Sequence, residues 1–351
     1  MVENGDMGEK NNGILEKTSP NSPFIIHHSS FIIHHSSFPL SPFFQSAKLL
    51  PEFKEMVQGA GMNEILKKVF LSNSVVEMEI RDPKIARKHR AGQFIIFKLH
   101  EQGERIPLTV ADKDPEKGTL TIIFQQVGKS TTELGGMNPG MFLLDLVGPL
   151  GTPTHIEKYG TVVCIGGGIG TAPIHPITQA MKQAGNEVIA ILGARNKELI
   201  IMEDKMRKAS DEIIITTDDG SYCNKGFVTD SLKSLIQKGR KIDKVVAVGP
   251  VPMMKAVCKA TEEYGISTMV SLNPIMLDGT GMCGACRVSV GNETKFVCVD
   301  GPEFDGHKVD FDQLMKRQRM YVTQEREAMD KFMYRQGCQN PDGQKCRTRG
   351  E

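Results

Sequence analysis

The hydrophobic positions change rhythm along the chain. Between residues 62 and 155 they fall in short Val-, Ile- and Phe-rich runs, KKVFLSNSVVEMEIRD, GQFIIFKLH and GTLTIIFQQVG, with turn residues between them. Runs of this kind predict antiparallel strands curled into a small β-barrel. From residue 156 to 268 apolar runs alternate with helical periods. TVVCIGGGIGTAPIHPITQAMKQAGNEVIAILGAR reads as strand, glycine turn, helix, strand, and DEIIITTDDG and DKVVAVGPVPMMKAVCKATEEYG continue the series. That alternation predicts a doubly wound α/β parallel sheet. Residues 269–311 are short-ranged, glycine-rich and cysteine-bearing. Residues 312–351 read as one charged helix, DFDQLMKRQRMYVTQEREAMDKFMYRQG, and a tail. The expected fold is therefore multidomain.

Residues 1–61 differ from the rest. They are rich in Ser, Pro and Asn and contain a tandem duplication, Phe24–Ser30 and Phe31–Ser37. His27, His28, His34 and His35 form two pairs capable of metal binding. The composition favours a disordered or non-native extension instead. Residues 1–50 carry four acids against three bases, which disfavours a transit peptide, and Met62 is a natural start for the folded part.

Composition narrows the classes. A formal net charge of +1 over 351 residues excludes a broad basic face for nucleic acid. No run approaches the roughly 18 apolar residues of a membrane helix. Eight cysteines invite a disulfide framework, but such frameworks belong to small secreted chains, and no signal peptide is recognisable. A reducing, cytoplasmic setting fits better. Cys338 and Cys346 lie in the loose tail.

Three stretches carry chemistry. VVCIGGGIGTAP sets Gly166, Gly167, Gly168, Gly170 and Thr171 between a buried strand and a helix, where free backbone N–H groups favour a pyrophosphate. The plain alternative is a tight strand–helix connection. Asp218 and Asp219 end the third strand of this unit and Gly249 and Pro250 the fourth, at the strand ends where open α/β sheets bind ligands. A carboxylate there accepts from ribose hydroxyls and favours NAD(H) over NADP(H); Arg195 argues the other way. In the barrel region, Arg105 of ERIPLTVAD offers a fork of donors to a phosphate. Gly128, Ser130 and Thr131 of VGKSTTEL read as a helix start suited to the same anion. The pair suggests a second dinucleotide.

The third stretch is DGTGMCGACRVSVGNETKFVC, with Cys283, Cys286 and Cys298 spaced C-x2-C-x11-C. Two-iron ferredoxin sites use C-x4-C-x2-C…C, and counting back from Cys283 lands on Asp278. Three readings compete: a zinc knuckle with His307, a Cys283–Cys286 redox disulfide, and a two-iron cluster with one oxygen ligand.

From Met62 to about Phe332 the chain resembles the ferredoxin–NADP reductase superfamily. More narrowly it resembles the electron-transfer subunit of dihydroorotate dehydrogenase and the small subunit of NADH-dependent reduced ferredoxin:NADP oxidoreductase, or sulfide dehydrogenase subunit beta. The resemblance implies an FAD-binding barrel, then an NAD-binding sheet, then a [2Fe-2S] domain. The superfamily flavin motif R-x-Y-[ST] corresponds to Arg105, Ile106, Pro107, Leu108 and Thr109, without the aromatic. Val248, Gly249 and Pro250 stand where many members have Cys-Gly. The ferredoxin:NADP branch implies Asp278 as first cluster ligand beside Cys283, Cys286 and Cys298; the dihydroorotate branch has cysteine there.

The implied activity is hydride transfer from NADH to FAD, then single-electron transfer to the cluster. The implied partner is a larger subunit with its own FAD and [4Fe-4S] clusters, with ferredoxin acting indirectly in a bifurcating transhydrogenase. The alternatives are the electron-transfer subunit of an NAD-dependent dihydroorotate dehydrogenase, a stand-alone sulfide or polysulfide reductase and, in a different class, a non-catalytic zinc-bearing module.

Overall fold

The computed structural model describes residues 62–335; the paired histidines of the repeat, Cys338 and Cys346 lie outside the described residues. The first sheet contains β1 (Glu64–Phe70), β2 (Val75–Arg81), β3 (Phe94–Lys98), β4 (Ile106–Asp114), β5 (Thr119–Gln125) and β6 (Asp145–Leu150). Its order is β1-β2-β5-β4-β3-β6, antiparallel throughout. A bridge between Glu64 and Phe142, with Ile65 N–H donating to Met141 O at 2.9 Å, brings the chain before β6 back onto β1 and closes a barrel. Closure removes the unpaired edges of an open sheet. Alternation builds the interior: in β2, Val76, Met78 and Ile80 are wholly buried, with Glu77 and Glu79 between them. Helix α1 (Pro83–Lys88) starts where Asp82 accepts from the Lys84 and Ile85 amides, and α2 (Lys129–Gly136) follows β5.

The second sheet follows β7 (Thr161–Gly167), α3 (Thr171–Gln183), β8 (Glu187–Ala194), α4 (Glu203–Ala209), β9 (Glu212–Thr217), β10 (Asn224–Lys225), α5 (Val228–Gln237), β11 (Lys244–Val248), α6 (Val251–Glu262) and β12 (Ser267–Ser271). These strands run parallel in the order β10-β9-β8-β7-β11-β12. Val162, Val163, Cys164 and Ile165 are fully buried, which is why β7 reads as an unbroken apolar run. Strand order reverses at β7, so β7 and β11 flank a topological switch point.

The cysteine-bearing segment adds a strand to the second sheet and packs against the barrel. Its hairpin β13 (Arg287–Val290) and β14 (Glu293–Phe296) leads through α7 (Val297–Asp300) to β15 (Glu303–Asp305), which pairs antiparallel with β12. The loop before the hairpin presses on the barrel. A Cβ at Gly279 would lie 2.6 Å from Ile96 Cδ1 and 2.8 Å from Leu150 Cδ1, so only glycine fits there. The charged C-terminal sequence forms two helices rather than one, α8 (Phe311–Gln318) and α9 (Val322–Arg335). Phe311 and Leu314 anchor α8 in the core, whereas Met320 and Tyr321 at the break are exposed, and α9 turns to pack against α2. Among the described residues no helix is long and apolar enough to cross a membrane.

Candidate cofactor sites

The glycine turn sits where the switch point requires it. A 3₁₀ turn over Gly168–Gly170 joins β7 to α3, whose N-terminus carries no side-chain cap. Its first N–H groups are thus available to an anion. Gly168 has φ +55° and open space around its missing side chain, whereas a Cβ at Gly170 would lie 2.2 Å from Val248 O. Gly166, Gly167 and Thr171 complete the turn. A Cβ at Gly249 would lie 3.1 Å from Gly167 Cα, so Gly249 and Pro250 form the facing wall.

Asp218 and Asp219 end β9, two strands or about 10 Å across the sheet from β7. The strand beside the turn is β8, which ends at Ala194 and leads to Arg195. The structure therefore places Arg195 nearer the glycine turn in the sheet than the two aspartates. Asp219 Oδ1 accepts from Ser221 N at 2.9 Å, and the Ser221 contacts hold its carboxyl below the usual range.

In the barrel, Pro107, Leu108 and Thr109 lie on β4 opposite Ile96, Ile95 and Phe94 of β3. At the start of α2, Thr131 Oγ1 accepts from the Val127 and Gly128 amides, each at 3.2 Å, and Ser130 Oγ donates to Glu104. Ser130 thus ties Glu104, the residue before Arg105, to the helix start. The guanidinium itself departs from the phosphate expectation. Arg105 Nε donates to Leu277 O at 2.9 Å, Nη2 reaches Asp278 O at 3.4 Å, and Nη1 meets Asp145 Oδ2 at 3.4 Å. Its fork is occupied by the cysteine loop, because that loop lies directly on the barrel.

The cysteine loop gathers its candidates in two pairs. Asp278 Oδ2 accepts from Cys283 N at 2.9 Å, and Cys298 N donates to Cys286 Sγ at 3.4 Å. Asp278 Oδ1 accepts from Thr280 N at 3.0 Å. The Thr280 and Cys283 amides hold the Asp278 carboxyl below the usual range, and each oxygen keeps a lone pair for another partner. Cys286 and Cys298 are buried, Cys283 exposed. Burial and the adjacent Cys286 sulfur push the Cys298 thiol to about 12. Desolvated thiols side by side become thiolates only when a cation compensates them.

Among the described residues, no three His, Cys, Asp or Glu side chains converge as a single ion requires. Two pairs suit a two-iron cluster, which takes two ligands on each iron. His307, the fourth ligand of a zinc reading, is turned to Thr261 Oγ1 at 2.9 Å. No disulfide joins the six described cysteines.

One polar junction carried no sequence signal. Thr154 Oγ1 donates to Glu303 Oε1 at 2.5 Å, joining the barrel–sheet connector to β15. Thr152 N donates to Gly301 O at 2.7 Å and Thr152 Oγ1 to Val299 O at 3.0 Å, beside Cys298. The connector is therefore fastened to the cysteine segment.

Two family models match parts of the chain. Residues 273–310 match the iron-sulfur cluster binding domain of dihydroorotate dehydrogenase B, and residues 164–259 match the oxidoreductase NAD-binding domain. A Thermotoga maritima protein named as a homolog of the dihydroorotate dehydrogenase B (NAD(+)) electron transfer subunit is 49% identical over 275 residues, 78% of this chain and 97% of that one. The electron transfer subunit of Geobacillus thermodenitrificans is 32% identical over 254 residues, 70% of this chain and 96% of its own. The chain belongs to this family of electron transfer subunits. A chain in the solved structure of NADH-dependent reduced ferredoxin-NADP oxidoreductase, a study of flavin-based electron bifurcation, is 48% identical. It superposes with a TM-score of 0.74 over 78% of this chain and 98% of that one. The family member described here is thus an oxidoreductase electron-transfer subunit on the ferredoxin–NADP reductase fold. Its cofactor set is FAD, NAD(H) and an iron–sulfur cluster.

Proposed function

We propose that the chain passes electrons between NAD(H) and a larger partner carrying its own FAD and [4Fe-4S] clusters, in a cytoplasmic ferredoxin:NADP oxidoreductase complex. The observation that carries this reading is the seating of the Asp278–Cys283 loop on barrel strands β3 and β6, through Gly279. Electron transfer needs short separations, and this contact brings the flavin fold and the cluster loop together. Bound FAD supplies the conversion of a two-electron hydride into single electrons, which an iron–sulfur cluster accepts one at a time.

The chain's own residues bind and orient. The turn Gly166–Gly170 and the α3 N-terminus hold the pyrophosphate of NAD(H), and Gly249 and Pro250 bound the nicotinamide side of the crevice. Gly128, Ser130 and Thr131 hold the flavin pyrophosphate, Pro107, Leu108 and Thr109 line the isoalloxazine, and Arg105 fastens that strand to the cluster loop. Asp278, Cys283, Cys286 and Cys298 hold the cluster. Asp278 in the first ligand position and 48% identity to the ferredoxin-NADP oxidoreductase chain favour this complex over a dihydroorotate dehydrogenase. Affinity capture of the native complex from its source cells tests the choice. A partner with flavin and [4Fe-4S] clusters that reduces NADP supports it; a partner that oxidises dihydroorotate overturns it.

A further inference from the structure

Three arginines from three different places hold carbonyl oxygens of the cluster loop. Arg105, before β4, binds Leu277 O and Asp278 O. Arg287, at the start of β13, donates from Nη1 to Gly284 O at 3.2 Å. Arg317, on α8, donates from Nη2 to Ala285 O at 2.9 Å. The last two carbonyls belong to the two residues between Cys283 and Cys286.

A trans peptide is planar, so fixing a carbonyl fixes the following N–H in the opposite direction. Arg287 thus orients the Ala285 amide and Arg317 the Cys286 amide, each away from its guanidinium. Among the described residues neither amide has a protein acceptor. Elsewhere in the loop an amide already serves sulfur: Cys298 N–H donates to Cys286 Sγ at 3.4 Å.

A separate observation concerns Arg317 alone. Its Nε is buried and has no hydrogen-bond partner among the described residues. A buried guanidinium N–H without an acceptor is costly, and an anion beside it relieves that cost. The peptide that Arg317 holds lies between Cys283 and Cys286, whose thiolates would bring negative charge to this loop. The residue comes from α8, whose Phe311 and Leu314 are locked in the core, so the guanidinium is held on a rigid support.

We propose that Arg317 is a positioning residue for the cluster: its Nη2 hydrogen bond orients the Ala285–Cys286 peptide, and its charge favours the reduced, more negative state. This rests on the reading that Asp278, Cys283, Cys286 and Cys298 bind the cluster. Arg287 and Arg105 secure neighbouring peptides of the same loop. Amide donors and fixed positive charge near the sulfurs both raise a cluster's reduction potential.

The test is an anaerobic redox titration of the full chain, followed by the electron paramagnetic resonance of the reduced cluster, on wild type, Arg317→Gln and Arg317→Lys. Iron, acid-labile sulfide and FAD are counted in each. Arg317→Gln removes the charge. At the wild-type midpoint its ratio of reduced to oxidised cluster is expected to fall about tenfold, a downward shift of about 59 mV for a one-electron couple. Arg317→Lys keeps the charge but loses the guanidinium hydrogen bond to Ala285 O, and a smaller downward shift is expected. If Arg317→Gln does not assemble a cluster, Arg317→Lys decides alone: a lowered midpoint supports the proposal and an unchanged one overturns it. Wild-type midpoints in both variants, with iron intact, overturn it. Loss of iron from both variants overturns the tuning role and leaves Arg317 an assembly residue. Absence of iron from the wild-type protein is a different failure, that of the cluster reading itself.

Discussion

Thr154 and Glu303, 149 residues apart in sequence, share a hydrogen bond of 2.5 Å between the barrel–sheet connector and the strand that follows the cluster segment. Desolvation at this junction raises the Glu303 carboxyl from 4.5 to about 7, against the stabilising Thr154 hydroxyl and Lys244. Lys244 itself lies 4.2 Å over the Tyr159 ring. The opposite case is buried His89, which desolvation lowers from 6.5 to about 4 although it hydrogen-bonds Gln93 O, with Lys113 nearby.

The signs of the two groups oppose each other. Glu303 binds its proton more tightly folded, so its contribution is full below 4.5 and is lost as pH rises through 7. His89 binds its proton less tightly folded, so its contribution is full above 6.5 and is lost as pH falls through 4. Each is on the order of 3 kcal/mol. Between pH 4.5 and 6.5 the Glu303 slope runs against those of His89 and of His175, which burial also lowers, so wild-type stability is expected to fall on acidification less steeply than the histidines alone would make it in denaturant titrations. Glu303→Gln removes the opposing slope, so the variant should lose stability more steeply on acidification through that window. An equal slope in Glu303→Gln and wild type would contradict the assignment.

The glycine turn gives a graded pair. Gly170→Ala drives a Cβ to 2.2 Å from the Val248 carbonyl oxygen, a backbone contact that cannot yield. NADH affinity is expected to fall at least about tenfold, or about 1.4 kcal/mol, with a lowered Tm. Gly168→Ala meets open space and bears only the left-handed φ of +55°, about 1–2 kcal/mol. NADH binding by fluorescence titration and Tm by calorimetry check the order; equal losses in the two variants would count against the turn geometry.

Arg105 separates two roles. Its hydrogen bonds to Leu277 O and Asp278 O place it on the cluster loop. Arg105→Ala is therefore expected to lower iron per chain while FAD per chain stays near wild type. Loss of FAD with full iron would return Arg105 to a flavin phosphate.

Much of this was legible in the sequence because period carries it. Strands with Val76, Met78 and Ile80 inside, and the unbroken apolar run of β7, announce barrel and parallel sheet by themselves. The glycine turn and the Asp278–Cys283–Cys286–Cys298 spacing are local and equally readable. What could not be read joins distant residues: Thr154 to Glu303, Arg105 to Leu277, Arg317 to Ala285. No spacing rule links such pairs. β15 is three residues long, too short for a period, and the break between α8 and α9 follows from tertiary packing. The order of strands placed Arg195 beside the glycine turn, which the sequence left open between Arg195 and the two aspartates.

Asp278 bears the greatest weight. Its carboxylate caps the loop through the Thr280 and Cys283 amides and leaves each oxygen a lone pair for a further partner, proposed here to be iron. Asp278→Asn retains one capping oxygen and loses the charge, so iron per chain is expected to fall below half of wild type. Asp278→Cys supplies the thiolate of the usual C-x4-C spacing and is expected to restore it. Undiminished iron in Asp278→Asn would remove the residue from the ligand set.

The most direct measurement is the electron paramagnetic resonance of the anaerobically purified chain after addition of NADH, with iron, sulfide, zinc and FAD counted on the same sample. About two irons and two sulfides per chain, a bleached flavin and the signal of a reduced two-iron cluster are expected. Stoichiometric zinc, or a bleached flavin with neither iron nor sulfide, would contradict it.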